Sequence, residues 1–400
     1  MYSSISILSG EPKKAPKLSY FTAQELQTVR EFFRSVPQYR ETPLVSLPSL
    51  AKALGVGDVY VKDESHRFGL NAFKGLGATY AIARLLCDRL GLDREAPDFA
   101  ALTAPHHKEK LRNLVFVTAT DGNHGKSVAW AASLFGCKAR VYMPKGSKES
   151  RVEAIRTINN TPVEVTDLNY DDAVRLAADW AKQNGQQLVQ DTGTEDYWQV
   201  PRDITLGYTV MAAEAAEQLA HEYGQAGPTH VFLQAGVGSM AGGVLAYLVQ
   251  HFAEQPPIAT IVEPDTVACI YESVKAGTGK PIAIGGNPET IMAGLNCGEP
   301  NPLIWPVLRD YASFFAACPD WVTQQGMKTL AHPLQGDRRV ISGESGAVGL
   351  GLLQALCSLP ELQSEKERLG LHSASQVLLF STEGDTDPAY YREIVGKESV

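Results

Sequence analysis

Residues 114–125 of the chain read LVFVTATDGNHG, and within this stretch a β-rich run passes into a glycine-containing turn. The first five residues predict a strand, and the apolar spacing over 125–135 predicts a helix directly after the turn. A tight turn at a helix N-terminus presents backbone N–H groups that suit a carboxylate or a phosphate. Asn123 adds an amide donor, whereas the carboxylate of Asp121 repels anions. The stretch therefore predicts an anion-binding loop within an α/β fold.

Two side chains of this loop have more than one interpretation. Asp121 suits the N-cap of the following helix as well as a role in chemistry. His124 fits a histidine packed within a loop as well as one that binds a ligand.

The alternation of strands and helices continues on both sides of the loop, which predicts an α/β protein with parallel-rich sheets. A chain of 400 residues is long enough for two domains. Strand-like runs lie at 58–61, 139–143, 162–165, 188–190, 229–234, 259–263 and 376–381. Helix-like runs lie at 73–86, 150–158, 170–183, 203–222 and 241–252.

Composition narrows the class of protein. The formal charge is 36 − 45 = −9, which argues against a basic nucleic-acid-binding surface. The six cysteines form no C-x-x-C pair, so neither a metal site nor a disulfide framework is expected. The N-terminal residues lack the apolar region of a signal peptide, and glycines interrupt the uncharged run 231–249, which favours a strand, loop and helix over a membrane span. We therefore expect a cytoplasmic protein with no nucleic-acid or membrane partner.

Lys74 is the first candidate for chemistry, in the sequence NAFKG at 71–75. It stands where a strand region passes into a helix, and a cation at a helix N-terminus opposes the helix dipole. Such a position lowers the pKa of a lysine and increases the share of free amine that Schiff-base chemistry requires. Taken alone, Lys74 also fits a solvated surface lysine.

A second anion cradle is predicted at 234–243, QAGVGSMAGG, which follows a strand and opens a helix. The spacing Gly236-x-Gly238-x-x-Ala241 also fits the looser dinucleotide-binding fingerprint. Glu263 ends the next strand, 263 − 242 = 21 residues after Gly242. A Rossmann-type, NAD-binding oxidoreductase is therefore an alternative at this point.

Ser381 and Thr382 follow the last predicted strand, in the sequence FSTEG at 380–384. Hydroxyl groups at the carboxyl end of a strand point into the crevice where α/β sheets bind ligands. Ordinary turn formation is the other explanation for these two residues.

Taken in order, these segments resemble the fold-type II pyridoxal-phosphate enzymes, the group of tryptophan synthase β and the serine/threonine dehydratases. That group carries a lysine in an F-K motif, an S-x-G-N-H-G loop, a glycine-rich phosphate loop and a Ser or Thr near the C-terminus. The matching segments are Phe73-Lys74, 121–125, 236–240 and Ser381/Thr382. The resemblance covers roughly 44–387, whereas the dinucleotide alternative explains only the glycine loop.

The resemblance implies two α/β domains with the cofactor in the cleft between them. The small domain would cover 81–194, and the large domain would cover 1–80 and 195–400. Homodimers are common in this group, so a homodimer is expected.

The resemblance also implies how pyridoxal 5'-phosphate is held. Lys74, next to Phe73, would form the covalent link to the cofactor, and Asn123 would bind its 3-hydroxyl group. Ser381 or Thr382 would meet the pyridine nitrogen, and Ser381 is preferred because the strand ends there. The N–H groups that would wrap the phosphate belong to Gly236, Val237, Gly238, Ser239 and Met240.

Asp121 departs from the serine usual in this group. Together with Gln190-Asp191-Thr192 and YWQVP at 197–201, it resembles the branch that eliminates ammonia from 2,3-diaminopropionate. This implies α,β-elimination of the D and L isomers to pyruvate and ammonia. Asp121 and Asp191 would attract the β-ammonium group and handle its proton. Lys74 would act as the base for the L isomer, and Asp121 would act on the D isomer from the opposite face.

The remaining expectation concerns the amino-acid substrate, which the resemblance places against Thr120, Asp121, Gly122, His124 and Glu344. Glu344 fits a solvated loop acid equally well. A serine/threonine dehydratase, a β-replacement synthase and a non-catalytic binding protein for pyridoxal phosphate stay open as alternatives. The two catalytic-type residues Lys74 and Asp121 argue against the last of these.

Overall fold

The structure is a computed structural model that describes residues 4–13, 18, 21–120, 122–194, 196–286 and 288–396. Strands and helices alternate along most of this range, which confirms the predicted α/β class. The strands are β1 (Ser6–Ser9), β2 (Leu44–Ser46), β3 (Asp58–Asp63), β4 (Val115–Ala119), β5 (Lys138–Met143), β6 (Val163–Val165), β7 (Gln187–Leu188), β8 (His230–Gln234), β9 (Ile258–Pro264), β10 (Phe314–Cys318) and β11 (Gln376–Ser381).

The helices vary widely in length, and short 3₁₀ turns connect several of them. They are α1 (Ala23–Ser35), α2 (Pro48–Leu54), α3 (Gly75–Leu90), α4 (Phe99–Leu102), α5 (Lys108–Leu111), α6 (Asn123–Leu134), α7 (Glu149–Arg156), α8 (Tyr170–Gln183), α9 (Gln199–Tyr223), α10 (Ser239–His251), α11 (Cys269–Lys275), α12 (Trp305–Tyr311), α13 (Asp320–Ala331), α14 (Val348–Ser358), α15 (Gln363–Leu369) and α16 (Pro388–Val395).

The chain divides into two compact units. The larger unit comprises 1–19, 41–72 and 211–400, and the smaller unit comprises 20–40 and 73–210. The limits of these units differ from those of the predicted domains, because 20–40, 73–80 and 195–210 pack within the smaller unit. The compact units are not the predicted domains, and the limits of those domains stay a prediction.

The larger unit is built on a seven-stranded sheet in the order β1-β10-β9-β8-β11-β3-β2. The five inner strands run parallel, whereas β1 and β2 pair antiparallel at the two edges. The inner strands β8 and β11 are buried along almost their whole length, as parallel strands covered on both faces require. The carboxyl ends of the inner strands meet at one edge of the sheet, which is where open α/β sheets bind ligands.

The smaller unit contains a fully parallel sheet in the order β6-β5-β4-β7. Helix α8 covers it with alanines spaced four residues apart, Ala173, Ala177 and Ala181, which pack against Val117 and Tyr142. This spacing places the three alanines on one face of the helix and explains why 170–183 is helical. Because β4 and β7 are parallel neighbours, the loops that follow them lie side by side.

Membrane-spanning helices and clusters of metal-binding side chains are both absent from the described residues. No helix among them has both the length and the apolar character needed to cross a bilayer. Within the same ranges, no group of three or more His, Cys, Asp or Glu side chains is arranged to hold a metal ion. The uncharged run 231–249 forms the end of β8, a glycine loop and most of α10, as predicted.

A buried ionic network lies in the larger unit. The Glu214 carboxylate pairs with Lys62 Nζ at 2.6 Å and with Arg67 Nη2 at 2.8 Å, and Arg67 also pairs with Glu64. All four side chains are fully buried. Burial alone would raise the pKa of Glu214, but Arg67 and Lys62 outweigh it and lower that pKa from 4.5 to about 2. The stabilisation is therefore present above pH 4.5 and is lost as the pH falls through about 2.

Glu214→Gln removes the carboxylate that faces both Lys62 and Arg67 and leaves their charges buried with one anion, Glu64. We expect the free energy of unfolding to fall by about 3–5 kcal/mol, because an uncompensated buried charge is costly. Urea unfolding followed by circular dichroism measures this change. The matched control is Glu222→Gln, at an exposed position of the same helix, with an expected change within about 0.5 kcal/mol. Equal effects of the two substitutions would contradict the role assigned to the network.

Candidate functional site

Two neighbouring parallel strands of the smaller unit end in loops that carry predicted site residues. Thr120 and Gly122 come after β4, and Gln190 and Asp191 follow β7. Gln190 joins its loop to the end of β4, since its Oε1 atom accepts hydrogen bonds from Thr118 Oγ1 at 3.0 Å and Ala119 N at 3.2 Å. The arrangement agrees with the general location of ligand sites at the carboxyl ends of parallel strands.

Gln190 is held by further bonds on its other side. Its Nε2 atom donates to Tyr170 Oη at 3.0 Å, and its backbone N–H donates to Tyr197 Oη at 2.9 Å. Tyr197 Oη in turn donates to Leu188 O at 3.0 Å. The backbone just before Asp191 is therefore fixed by contacts with α8 and with the segment after β7.

Lys74 and Asp191 form an ion pair, in which Lys74 Nζ donates to Asp191 Oδ2 at 2.9 Å. Lys74 occupies the N-cap position of α3, so the helix begins two residues after its predicted start at Phe73. Burial raises the pKa of a carboxyl group, but the charge of Lys74 outweighs this and holds the pKa of Asp191 below its ordinary range. The structure thus brings together two of the three predicted catalytic residues. The third, Asp121, lies outside the described residues.

His124 lies buried in the first turn of α6, beside this ion pair. Its Nε2 atom is 2.9 Å from Val189 O, and its Nδ1 atom is 3.9 Å from Asp191 Oδ2. Nδ1 has no hydrogen-bond partner among the described residues. Burial lowers the pKa of His124, Asp191 raises it, and Lys74 lowers it, with a net shift below the ordinary value. This shift favours the neutral form of the imidazole.

Thr120 shapes the turn between β4 and α6. Its hydroxyl oxygen accepts hydrogen bonds from Gly122 N at 2.9 Å and Gly125 N at 3.1 Å. A Cβ atom on Gly125 would lie 2.3 Å from Thr120 Cγ2, so this position requires glycine. Gly122 is the N-cap and Asn123 the first residue of α6, so the helix begins two residues before its predicted start at Gly125. The role of Thr120, Gly122 and Asn123 in binding substrate or cofactor stays a prediction.

Tyr208 is a buried neighbour of Lys74 that the sequence did not single out. Its ring lies 4.7 Å from the ring of Phe73, centroid to centroid, and a Cβ atom on Gly77 would lie 2.5 Å from Tyr208 Cε1. Its hydroxyl has no hydrogen-bond partner in the described part of the chain. Burial raises the pKa of Tyr208, while Lys74 lowers it and Asp191 raises it, so both charges act on the phenol. The glycines at 77 and 207 were the only available signal of this close packing.

The glycine loop of the larger unit is closely packed against the chain around it. Gly238 has φ +92°, and a Cβ atom there would lie 2.7 Å from Leu308 Cδ1. A Cβ atom on Gly236 would lie 3.2 Å from Leu295 Cα. Gly238 is also the N-cap of α10 and provides no side chain to cap it. The loop therefore leaves the N-terminus of α10 suited to an anion.

Asn301 supports this loop and was missed by the sequence analysis. Its backbone N–H donates to Val237 O at 2.8 Å, and its Nδ2 atom donates to Ser239 Oγ at 2.9 Å. Asn301 is fully buried. It lies within a Gly/Pro-rich stretch that predicts only a loop, so no periodic pattern pointed to it.

Glu263 has a structural role that weakens the dinucleotide alternative. Its two carboxylate oxygens accept the N–H groups of Ile270 and Tyr271 at 2.8 and 2.7 Å, at the start of α11. Burial raises the pKa of Glu263 to about 8, against the lowering effect of those two bonds. The carboxylate thus caps a helix of its own unit, whereas a dinucleotide-binding acid would face the ribose.

Thr382, rather than Ser381, is tied to the strand that leads into the glycine loop. Gln234 Nε2 donates to Thr382 Oγ1 at 3.0 Å and to Phe380 O at 2.8 Å. The Thr382 oxygen accepts this bond, so its own hydrogen can be donated elsewhere. Ser381 Oγ instead donates to Glu383 O at 3.4 Å.

Glu383, near this strand end, is held by the loop 343–345, which itself contains the acidic residue Glu344. Glu383 Oε1 accepts a hydrogen bond from Ser345 N at 3.1 Å, and Glu383 O accepts one from Gly343 N at 2.9 Å. Glu344 is buried and not solvated, and its carbonyl oxygen accepts a bond from Thr323 Oγ1. Contact of Glu344 with a substrate stays a prediction.

The residues present fit pyridoxal phosphate. Gly238 has a positive φ and little room for a Cβ atom, and the loop leads into an uncapped helix N-terminus, which suits a phosphate. Lys74 supplies the amine that this cofactor requires, and Thr382 supplies a hydroxyl donor. Cys269 and Cys297, near the cradle, form no disulfide, and Cys269 Sγ donates to Cys297 O at 3.5 Å.

Comparison with known proteins agrees with the cofactor that these residues fit. The family model described as pyridoxal-phosphate dependent enzyme matches residues 36–373. The diaminopropionate ammonia-lyase of Escherichia coli (strain K12) is 50% identical over 384 residues, which cover 95% of this chain and 94% of that protein. The corresponding enzyme of Salmonella typhimurium is 49% identical and covers 92% of this chain and 91% of its own length.

Solved structures lead to the same family. The Escherichia coli diaminopropionate ammonia-lyase in complex with an aminoacrylate-PLP azomethine reaction intermediate has a TM-score of 0.89 and 47% identity, and covers 98% of this chain and 97% of its own. The chain therefore belongs to the pyridoxal-phosphate dependent enzymes of fold type II and, among them, to the diaminopropionate ammonia-lyase family.

Proposed function

We propose that this protein uses pyridoxal 5'-phosphate to catalyse α,β-elimination of 2,3-diaminopropionate, in both its D and L forms. With one water, the substrate yields pyruvate and two ammonia molecules. The observation that carries the proposal is the Lys74–Asp191 pair at the head of α3, in a chain that is 50% identical to a diaminopropionate ammonia-lyase.

The groups of the chain divide into binding and proton-transfer roles. When bound, pyridoxal phosphate supplies an electron sink for the negative charge that develops at the substrate Cα. The N–H groups of 236–240 bind its phosphate, and the Asn123 amide binds its 3-hydroxyl. Lys74 takes the Cα proton of the L isomer, and Asp121 takes that of the D isomer from the other face. Asp191 attracts the β-ammonium group, which leaves as ammonia.

The immediate surroundings of the substrate form a second part of the proposal. Thr120, Gly122, His124 and Glu344 border the substrate. Thr382 donates its hydroxyl hydrogen to the pyridine nitrogen, because Gln234 already occupies the Thr382 oxygen. We also propose a homodimer, on the resemblance to fold-type II enzymes, and a cytoplasmic location, because none of the six cysteines forms a disulfide. Light scattering coupled to gel filtration tests the dimer, and cell fractionation tests the location.

The experiment that tests the function measures pyruvate and ammonia released by the purified holoenzyme from D- and L-2,3-diaminopropionate. We expect both isomers to react, with two ammonia molecules for each pyruvate. Lys74→Ala should remove nearly all turnover, whereas Lys182→Ala, at an exposed position of α8, should retain it. D-Serine belongs in the same assay, because the Escherichia coli enzyme is also known in complex with D-serine. Absence of pyruvate from both diaminopropionate isomers would overturn the proposal.

Asp121→Asn should impair the D isomer far more than the L isomer. The amide keeps the size of the side chain but cannot accept the Cα proton, and loss of a positioned base costs about 10²–10⁴-fold in rate. The measurement is kcat for each isomer, with Asp179→Asn, at an exposed position of α8, as the control. Equal losses on both isomers would mean that Asp121 acts on the β-amino group and not as a base for one face.

Thr382→Val and Ser381→Ala separate the two candidate partners of the pyridine nitrogen. Thr382→Val preserves shape but removes the donated hydrogen, and a lost hydrogen bond of about 1–3 kcal/mol corresponds to a roughly 5–150-fold lower kcat. Ser381→Ala should lower kcat much less. The assay is pyruvate release, together with the absorbance spectrum of the bound cofactor. A larger loss in Ser381→Ala, or a collapse of activity in Glu383→Gln alone, would exclude Thr382 as the partner.

A further inference from the structure

Asp191 lies between two nitrogen atoms in the smaller unit. Its Oδ2 atom accepts a hydrogen bond from Lys74 Nζ at 2.9 Å and lies 3.9 Å from His124 Nδ1. Asp191 and His124 are buried, and Lys74 is half-buried. The three side chains therefore form a short row with the carboxylate in the middle.

The backbone fixes which nitrogen of His124 faces the carboxylate as an acceptor. Val189 O can only accept a hydrogen bond, so the ring nitrogen 2.9 Å from it, Nε2, carries the hydrogen. In the neutral ring Nδ1 then has a lone pair and no hydrogen, and it has no partner among the described residues. A lone pair and a carboxylate oxygen attract each other only when a proton lies between them.

The ion pair conflicts with the chemistry assigned to Lys74. A carboxylate 2.9 Å away stabilises the ammonium form of lysine, whereas capture of the cofactor and removal of the Cα proton both need the free amine. The conflict disappears if the carboxylate becomes a neutral acid while the amine is free. A group that accepts a hydrogen bond from the acid lowers the cost of this change.

We propose that His124 is a positioning residue, whose Nδ1 atom holds on Asp191 the proton that Lys74 must release to become a free amine. The inference rests on the proposed function and names the residue that controls its base.

The transfer balances in atoms and charge. The proton leaves Lys74 Nζ for Asp191 along their hydrogen bond, which turns ammonium and carboxylate into amine and carboxylic acid. The acid then donates its O–H to His124 Nδ1, after the 3.9 Å gap closes by about 1 Å to hydrogen-bond distance. The reverse path returns the same proton to Lys74 and restores its ammonium form.

Within the described ranges, two further ionisable side chains feel the charge of Asp191, and neither competes for the proton. Tyr197 and Tyr208 are both affected by the charge of Asp191, and burial raises the pKa of each phenol well above neutrality. Both therefore stay neutral while the proton moves between Lys74 and Asp191. Among the described residues, His124 provides the acceptor that faces Asp191.

The test is the pH dependence of cofactor capture by the full-length protein freed of cofactor and mixed with pyridoxal 5'-phosphate. Capture requires the free amine of Lys74, so the rate rises with pH through a midpoint that reports when the amine forms. His124→Gln keeps an amide N–H for Val189 O and removes the Nδ1 acceptor. We expect capture at pH values below the midpoint to be about tenfold slower than in the wild type, because fewer molecules there hold the amine form when the hydrogen bond to Nδ1 is lost.

His230→Gln is the matched control, because His230 is also a buried histidine whose Nε2 atom lies 2.9 Å from a backbone carbonyl, that of Leu369. Its capture rate below the midpoint should equal that of the wild type. The proposal is overturned if His124→Gln leaves that rate unchanged, or if His230→Gln lowers it equally. This outcome is distinct from failure of the proposed function, which would appear as wild-type protein that captures cofactor but releases no pyruvate.

A second measurement covers the case in which His124→Gln does not fold. In wild-type protein labelled with ¹⁵N-histidine, the Nδ1 resonance of His124 reports whether that atom accepts a hydrogen bond. We expect it to move from the position of a bare lone pair toward that of a hydrogen-bonded nitrogen when pyridoxal 5'-phosphate is added. A resonance that stays at the bare position through full capture overturns the proposal.

Discussion

Gly77 and Gly207 allow α3 and α9 to touch backbone to backbone, and the position of Lys74 depends on this contact. A Cβ atom on Gly207 would lie 2.6 Å from Leu76 O, and one on Gly77 would lie 2.7 Å from Ile204 Cγ2. A single methyl group at either position would force the helices apart. Because Lys74 immediately precedes α3, any such shift moves Nζ relative to Asp191, and a hydrogen bond tolerates only a few tenths of an ångström.

The parts of the fold with a clear hydrophobic period could be predicted from the sequence. The helix at 170–183 and the strand at 376–381 have their predicted limits, since each has a regular apolar face and ends at turn residues. The strand Phe314–Cys318 was missed because its sequence FFAAC contains no β-branched side chain and two alanines, a residue depleted in strands. Helix α9 begins at Gln199, four residues before its predicted start at Asp203, since Pro201 is compatible with a first helical turn.

Candidate site residues could be proposed from the sequence where they stand in a local motif. Contacts between residues far apart in the chain could not be predicted. Lys74 could be identified from its motif, but its hydrogen bond to Asp191 joins positions 117 residues apart. Tyr208 and Asn301 lie in a regular helix and an irregular loop, and neither carries a sequence signal of its packing partners. The preference for Ser381 followed from the strand end alone, whereas the bond from Gln234 to Thr382 exists only because β8 and β11 are neighbours.

The hydrogen bonds around Gln190 have a consequence for the speed of proton movement at Asp191. Thr118 and Ala119 hold one end of the Gln190 amide and Tyr170 holds the other, while Tyr197 holds its backbone. This segment loses its conformational entropy when the chain folds, so substrate binding does not have to order it. Asp191 is therefore preorganised, and a proton that reaches it meets dipoles already oriented, so little reorganisation energy is added to the barrier at that step.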